Sequence, residues 1–399
     1  MNIFSKIYCR MYQGIFRLVL PMMPYRQPQT LDSVLDIKTV LQEKNITKVL
    51  IVTDQGIKDL NLTNSLEKDL KANKIGYAIY DGTIPNPTIE NIEEGLELYK
   101  KEACQGIIAF GGGSVMDCAK MIGARVVRPE KSVAKMKGLL KIRKELPLLI
   151  AIPTTAGTGS ETTVTAVITD SEKKRKYTIN DFNLIPHYAV LDETLTLGLP
   201  PQLTATTGMD ALTHAIEAYI GNSTTKETRK YALDAMRYIF QNIEKVYNDG
   251  SNARARKHML NASYLAGLAF TRSYVGYVHA VAHTLGGEYH TPHGLANAVI
   301  LPYVLSLYGK SIHSKLRTIA VYCEIAHSYD SDQIAASKLI NKILELNEKM
   351  NIPKTFDYIK EEDIPTLAKY ASKEANPLYP VPVLMSAKEL QKIYYKISD

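Results

Sequence analysis

Short apolar runs and polar loops alternate through the first half of the chain. Residues 48–53, 76–80, 106–110 and 147–152 are near-continuous apolar stretches that end in turn or polar residues. That is the pattern of strands buried on both faces. Residues 31–43, 60–72, 89–101 and 114–127 carry apolar side chains at helical spacing. Strands that alternate with helices predict an open, mostly parallel sheet with helices on both faces. Residues 163–170 and 176–181 predict a hairpin around the charged turn SEKKRK, and 188–191 a last short strand. From Gln202 onward nearly everything reads as helix: 211–219, 225–247, 253–270, 276–285, 294–307 and several more. The chain is therefore expected to consist of an extension (1–30), a Rossmann-like α/β domain (31–192) and an all-helical C-terminal domain (193–399), joined through ETLTLGLPP at 193–201.

The extension has its own pattern. Ile3, Ile7, Met11, Ile15, Leu18 and Met22 repeat at helical spacing, interrupted by Lys6, Arg10 and Arg17. Those charges break the clean apolar core that a signal peptide needs. Two readings remain: a helix docked on the protein's own surface or on a partner subunit, or a basic amphipathic helix on a membrane surface.

Composition narrows the class. A chain of 399 residues, 45% of them hydrophobic, is globular and long enough for two ordinary cores. The net charge of +7 is modest and spread along the chain, and no nucleic-acid-binding motif occurs. Cys9, Cys104, Cys118 and Cys323 form no C-x-x-C pair, as expected of reduced, mostly buried thiols in a cytoplasm. No uninterrupted apolar run is long enough to span a bilayer.

The polar loops fall at the carboxyl ends of the expected strands, where open parallel sheets bind ligands. Gly111, Gly112 and Gly113 follow the third strand and lead to Ser114 and a helix. Glycine lets the backbone approach a phosphate, and the helix N-terminus offers free N–H groups. The run is neither G-x-G-x-x-G nor a Walker A loop, and a tight turn reads equally well. Asp54 ends the first strand. It can accept hydrogen bonds from ribose hydroxyls, which disfavours a 2′-phosphate, or it can cap the following helix. PTTAGTGSE at 153–161 supplies hydroxyls and flexible backbone for a pyrophosphate or a nicotinamide ribose, and Lys176 offers a cation.

The helical half carries a second constellation. Asp210 and His214 lie four apart in GMDALTHAIEAY, so on a helix they share one face. His279 and His283 are also four apart in HAVAHTLGGEYHTPH; the glycines and Pro292 that follow suggest an interrupted helix restarting near His293. Asp210, His214, His279 and His293 supply one carboxylate and three imidazoles. That set suits Fe²⁺ or Zn²⁺ and is poor for Ca²⁺ or Mg²⁺. The affinity order favours Zn²⁺ over Fe²⁺, so the ligand types do not choose between those two.

Together these motifs resemble the iron-containing (group III) alcohol dehydrogenase family. They are VTD at 52–54, PNPT at 85–88, GGGSVMDCAK at 111–120, PTTAGTGSE at 153–161, GMDALTHAIEAY at 208–219 and HAVAHTLGGEYHTPHGLANAVILP at 279–302, in family order. Among family members the chain looks most like lactaldehyde reductases and propanediol dehydrogenases. The resemblance implies a dehydroquinate synthase-like two-domain plan with a dinucleotide-binding α/β domain and a helical metal-binding domain. It implies a metal-dependent, NAD(P)-linked alcohol dehydrogenase or aldehyde reductase that moves a hydride between a small primary alcohol and the nicotinamide. Fe²⁺ is the expected metal, with Zn²⁺ possible, and NAD(H) is expected over NADP(H). Asp210, His214, His279 and His293 match the metal ligands, and His283 matches the histidine beside the nicotinamide. Gly111, Gly112, Gly113, Ser114 and Asp117 fall in the pyrophosphate-loop motif. Asp54 matches the residue at the adenosine ribose. Asn86, Thr154, Thr155, Thr158 and Lys176 match further cofactor contacts, and Thr165 and Phe270 fall where the substrate pocket is lined. A homodimer or larger homo-oligomer is implied by the resemblance, while the cytoplasmic setting is expected from the cysteines and weak membrane-surface contact from the pattern of the N-terminal helix. The alternative is a dehydroquinate synthase-like lyase that uses NAD transiently. It is disfavoured by the Asp210-x3-His214 arm and by the lack of a basic cluster in the helical half.

Three departures from the family pattern stand out. LDSVLDIKTV replaces the usual glycine-containing turn at the domain's start, and the basic N-terminal extension is extra. TRSYVGYV at 271–278 replaces a stretch that is commonly small and glycine-rich. Tyr274 is bulky there, and as a pocket residue it would change the favoured substrate.

Overall fold

The computed structural model describes every residue except Asn2 and 172–174. The tip of the charged hairpin turn therefore lies outside the described residues. The chain forms two compact units. One is Pro24–Gly198, and the other combines Met1–Met23, which carries helix α1 (Ile3–Val19), with Leu199–Asp399.

In the Pro24–Gly198 unit, β1 (Gln29–Leu31), β2 (Lys48–Val52), β3 (Gly76–Tyr80), β4 (Gly106–Gly111), β6 (Leu148–Pro153) and β9 (Tyr188–Val190) form a six-stranded sheet in the order β1-β9-β6-β4-β2-β3. Every pairing in it is parallel. Helices α2 (Ile37–Glu43), α3 (Gln55–Asp59), α4 (Asn64–Ala72), α5 (Ile89–Lys101) and α6 (Gly113–Val127) follow strands or precede them. Side chains alternate across a strand, so the continuous apolar runs feed two cores. Leu50, Val52, Ile107 and Ala109 join Ile92, Met116 and Ile122 on one face. Val49, Ile51 and Ile108 join Ile37, Leu41, Leu66 and Leu70 on the other. A second, three-stranded sheet holds β5 (Gly138–Leu139), β7 (Thr165–Asp170) and β8 (Arg175–Asn180), in which β7 and β8 form the expected antiparallel hairpin.

The expected helix over 31–43 begins later. Leu31 pairs with Val190 as the end of β1. Ser33 then caps a short 3-10 turn, its Oγ accepting from Leu35 N while Asp36 Oδ2 accepts from Ser33 N. Only at Ile37 does α2 start. A Ser/Asp capping box stops the helix from extending backward.

The second unit is built of α7 (Pro201–Ile220), α8 (Lys226–Asn248), α9 (Ala253–Ser273), α10 (Tyr277–Glu288), α11 (His293–Tyr308), α12 (His313–Tyr322), α13 (Asp332–Lys349), α14 (Ile364–Ala375) and α15 (Ala387–Ile397). Helix α10 runs to Glu288, past its two glycines, before Pro292 starts α11. Among the described residues no single helix is long and apolar enough to cross a membrane. The N-terminal segment docks on its own helical unit. Gln13 Nε2 donates to Pro377 O at 3.2 Å and to Tyr379 O at 2.7 Å, and Arg10 donates to Val381 O at 2.8 Å and Pro382 O at 2.7 Å.

Candidate functional site

The metal side is assembled by α7, α10 and α11. Asp210 and His214 project from α7, and the same face carries Glu217 one turn later; all three are buried. Helix α11 can approach α7 because its second residue is glycine. A Cβ on Gly294 would lie 2.4 Å from Thr206 O. This places His293 Nε2 3.5 Å from Asp210 Oδ1, while His279 Nε2 from α10 lies at 3.9 Å. Asp210, His214, His279 and His293 each offer a ligand atom, and these atoms lie within 4.8 Å of one another. The ring of His214 stacks on Phe270 with centroids 4.1 Å apart and sits 4.4 Å from the ring of His279. One carboxylate and three imidazoles converging at this spacing fit a divalent transition metal.

Glu217 explains how the centre is held. Helix α10 begins at Gly276 without a side-chain cap of its own. Instead Glu217 Oε2 accepts from Gly276 N and Oε1 from Val278 N, each at 2.8 Å. A carboxylate is well placed at a helix N-terminus, where N–H groups lack partners. The same Oε2 lies 2.6 Å from His279 Nδ1. With Nδ1–H donated to the carboxylate, Nε2 is left as the lone-pair donor facing Asp210. Gly276 leaves no room for anything larger: a Cβ there would meet Glu217 Oε1 at 2.6 Å.

Asn297, one turn after His293, also reaches the centre. Its Nδ2 donates to Asp210 Oδ1 at 2.7 Å and lies 3.2 Å from His279 Nε2 and 3.1 Å from His293 Nε2. His283 takes another direction. Its Nδ1 is 2.6 Å from Glu374 Oε1, which also accepts from Tyr379 OH at 2.7 Å, and its ring stacks on that of His293 with centroids 5.2 Å apart.

Electrostatics follow from burial. Desolvation pushes the Asp210 carboxyl up, against the pull of His214 and the Asn297 hydrogen bond. It pushes Glu217 up to about 7, against the backbone N–H groups of Gly276 and Val278. Burial, with His214, His293 and His283 nearby, drives His279 well below its ordinary value, so it is a neutral donor at pH 7. Burial opposes protonation of His283 too, but Glu374 and the carboxylates of Asp210 and Glu217 outweigh it and the net shift is upward.

The nucleotide loops meet in the Pro24–Gly198 unit. Gly111 pairs with Pro153 across β4 and β6, and Thr154 N donates to Gly111 O at 3.2 Å. Gly112 begins α6 without a side-chain cap, leaving first-turn N–H groups for an anion. A Cβ on Gly112 would come no closer than 3.7 Å to Thr155 Oγ1, whereas one on Gly113 would press on Thr158 at 3.1 Å. Asn86, at a left-handed φ of 59°, donates its N–H to Ser114 Oγ at 3.2 Å and accepts from Lys176 Nζ at 2.9 Å. The loop thus gathers Asn86, Gly111 to Ser114, Thr154, Thr155, Thr158 and Lys176, with a donor-rich cradle that fits a pyrophosphate.

Other expected residues have structural partners. Asp54 Oδ1 caps α3 by accepting from Ile57 N at 2.9 Å. Asp117 faces the scaffold: Oδ1 accepts from Ser160 Oγ at 3.1 Å and Oδ2 from Val167 N at 2.9 Å. Thr165 Oγ1 donates to Asn180 Oδ1 at 2.6 Å. Tyr274 ends α9 at a φ of 61°, its ring edge-on to Phe16 of α1 at 5.1 Å. The added helix and the bulky residue, two separate departures in the sequence, are thus one packing feature. Sequence reasoning missed Glu217, Asn297 and Glu374. The i, i+4, i+7 spacing of Asp210, His214 and Glu217, and the four-residue step from His293 to Asn297, were available signals. Glu374 had no local signal.

Comparison with known proteins agrees with this geometry. The family model described as iron-containing alcohol dehydrogenase matches residues 28–193, and that of the Fe-containing alcohol dehydrogenase family, C-terminal, matches 204–398. Alcohol dehydrogenase 4 of Saccharomyces cerevisiae is 40% identical over 84% of this chain and 87% of its own length. The 1,3-propanediol dehydrogenase of Citrobacter freundii is 39% identical over 87% and 90%. A crystal structure of a 1,3-propanediol oxidoreductase superposes with a TM-score of 0.90 at 36% identity, covering 94% of this chain and 98% of that one. The lyase alternative finds no support among these relatives.

Proposed function

The chain belongs to the iron-containing alcohol dehydrogenase family and is an alcohol/aldehyde oxidoreductase, and from that premise we propose that it interconverts a small primary alcohol and its aldehyde with NAD(H), using Fe²⁺, with Zn²⁺ as the second candidate. The observation that carries this reading is the convergence of Asp210, His214, His279 and His293. When bound, the metal supplies Lewis acidity to a substrate oxygen and the nicotinamide carries the hydride. Asp210 and the three imidazoles hold the cation, and Glu217 keeps the His279 proton on Nδ1. His283, held at Nδ1 by Glu374, presents Nε2 to give or take the hydroxyl proton. Phe270 walls the centre on the His214 side. Gly111 to Ser114, Asn86, Thr154, Thr155, Thr158 and Lys176 hold the dinucleotide, with Asp117 fixing the loop from behind. Asp54 is assigned to the adenosine ribose, where its charge would favour NAD(H) over NADP(H). Thr165, Phe270 and Tyr274 are the residues assigned to substrate selection, Tyr274 with its ring edge-on to Phe16 of α1. The same reading has a cytoplasmic homodimer or larger homo-oligomer, organised as residues 1–30, 31–192 and 193–399, with weak membrane contact through α1.

The test is anaerobic reduction of short aldehydes, following NADH and NADPH separately, after chelator treatment and reloading with Fe²⁺ or Zn²⁺. Activity restored by Fe²⁺ and tracking NADH supports the full reading. Restoration by Zn²⁺ alone or use of NADPH alone overturns the metal or the nucleotide assignment. Full turnover by a metal-free His279→Ala or His293→Ala variant overturns the ligand set.

A further inference from the structure

Among the described residues, one face of helix α1 is buried and the other is exposed. Cys9, Gln13 and Leu20 are buried against the helical unit, and Phe16 meets Tyr274. The opposite face carries Phe4, Ile7, Met11, Ile15 and Leu18, with Phe4 79% and Leu18 78% exposed, and Met22 in the 3-10 turn that follows the helix is 83% exposed. Scattered exposed apolar residues are ordinary on a soluble protein; a continuous stripe along one helix marks an interaction surface.

Charge selects the occupant. Residues 1–31 contain Lys6, Arg10, Arg17 and Arg26 and no acidic residue. Arg10 is spent on the carbonyls of Val381 and Pro382, but Lys6 and Arg17 are exposed. At helical spacing both lie on the same flank of α1, between the apolar stripe and the docked face. A second copy of the chain fits poorly. Antiparallel pairing of α1 with itself would bring these cations toward one another, and parallel pairing would set them on opposite flanks, where the partner helix again offers no acidic residue to answer them. Crossing a bilayer is also excluded. Seventeen residues of helix span about 25 Å, less than the hydrocarbon core, and they carry three basic side chains. A helix lying flat on an anionic lipid surface satisfies both features. The apolar stripe enters the acyl boundary while Lys6 and Arg17 reach back to the headgroups.

We propose that the exposed face of α1 is a docking surface for anionic lipid, holding the enzyme peripherally on a membrane by its docked N-terminal helix. This deepens the weak membrane contact named above and is separable from the dehydrogenase reading, because turnover is measured in solution without lipid. The experiment is co-sedimentation of the full chain with phosphatidylcholine vesicles and with vesicles that also contain phosphatidylglycerol. Two variants accompany it, Ile7→Ser/Met11→Ser/Leu18→Ser and Lys6→Glu/Arg17→Glu. All five positions are exposed, so both variants are expected to fold and to keep their turnover in solution. The wild type should partition to anionic vesicles at least about tenfold more strongly than to neutral ones. Each variant should lose about tenfold or more of that binding. Absence of binding to anionic vesicles overturns the proposal, as does equal binding to both vesicle types with no effect of Lys6→Glu/Arg17→Glu. A wild-type oligomer that dissociates in the triple-serine variant, without vesicle binding, overturns it in favour of a second copy of the chain.

Discussion

Glu217→Gln tests how the metal centre is held. Three donors meet the two oxygens of Glu217: Gly276 N and His279 Nδ1 on Oε2, and Val278 N on Oε1. Glutamine keeps only one acceptor. If its oxygen replaces Oε2, its NH₂ faces the Val278 N–H. If its oxygen replaces Oε1, the NH₂ faces Gly276 and His279 Nδ1 and drives the imidazole proton onto Nε2, the atom turned toward Asp210. In either orientation a buried N–H loses its partner, at a cost of about 1–3 kcal/mol. Loss of such a supporting partner typically weakens metal affinity by about 10–100-fold, or roughly 1.4–2.7 kcal/mol. The variant should therefore bind metal about 10–100-fold more weakly in competition with a chromophoric chelator, and should unfold at lower urea. The chelator experiment separates two roles. Metal affinity within twofold of wild type, together with lowered stability, would leave Glu217 as a helix cap alone and refute the tautomer argument.

Further outcomes follow from the same contacts. Gly276→Ala places a Cβ 2.6 Å from Glu217 Oε1; unfolding should show a loss of about 1–3 kcal/mol, and metal content after purification should fall with it. Asn297→Ala removes the donor that orders Asp210 and should weaken metal binding by about tenfold; unchanged affinity would make Asn297 a packing residue. Asp117 gives a pH signature. Burial pushes its carboxyl up to about 6, so the native state holds this proton more tightly than the unfolded chain does. Its contribution to stability is then fully present below about pH 4 and is lost as pH rises through about 6. Asp117→Asn removes that titration, so its stability relative to wild type should improve by about 1–3 kcal/mol between pH 4 and pH 7. A flat difference in urea unfolding across that range would contradict the sign.

Much of the fold was legible because its strands are buried on both faces. Residues 48–52, 106–111 and 148–153 need apolar side chains at consecutive positions, and such runs stand out from amphipathic helices. What was not legible is held by pairing rather than by pattern. The three residues of β1 earn their state from β9, more than 150 positions away, and no local periodicity announces them. The metal ligands lie on helical repeats of four and could be grouped on paper. Glu374 reaches His283 from 91 positions away, and only the folded chain brings it there. The N-terminal segment shows the same limit. Its amphipathic spacing was plain, but which face would dock was not, because the partner surface is the loop at 377–382 that accepts from Arg10 and Gln13.

The pKa shifts at the centre have a common consequence. Burial raises Asp210 and Glu217 and lowers His279, so each of these three shifts favours the neutral form of its group. A neutral His279 is already the form that donates a lone pair. The two carboxyls are different, because they work as acceptors only when ionised and burial opposes that state. A divalent cation held by Asp210, His214, His279 and His293 would supply the missing positive charge. It would stabilise the ionised Asp210 directly, and the ionised Glu217 through the Nδ1–H bond of His279. The donor set would therefore discriminate by charge as well as by ligand type. Two carboxylates and three neutral imidazoles balance one dication, with one carboxylate at the metal and the other behind His279. A monovalent cation would leave the buried carboxylates under-compensated. The residue that sets this balance is Glu217, which touches no ligand position itself and joins the capped start of α10 to the tautomer of His279.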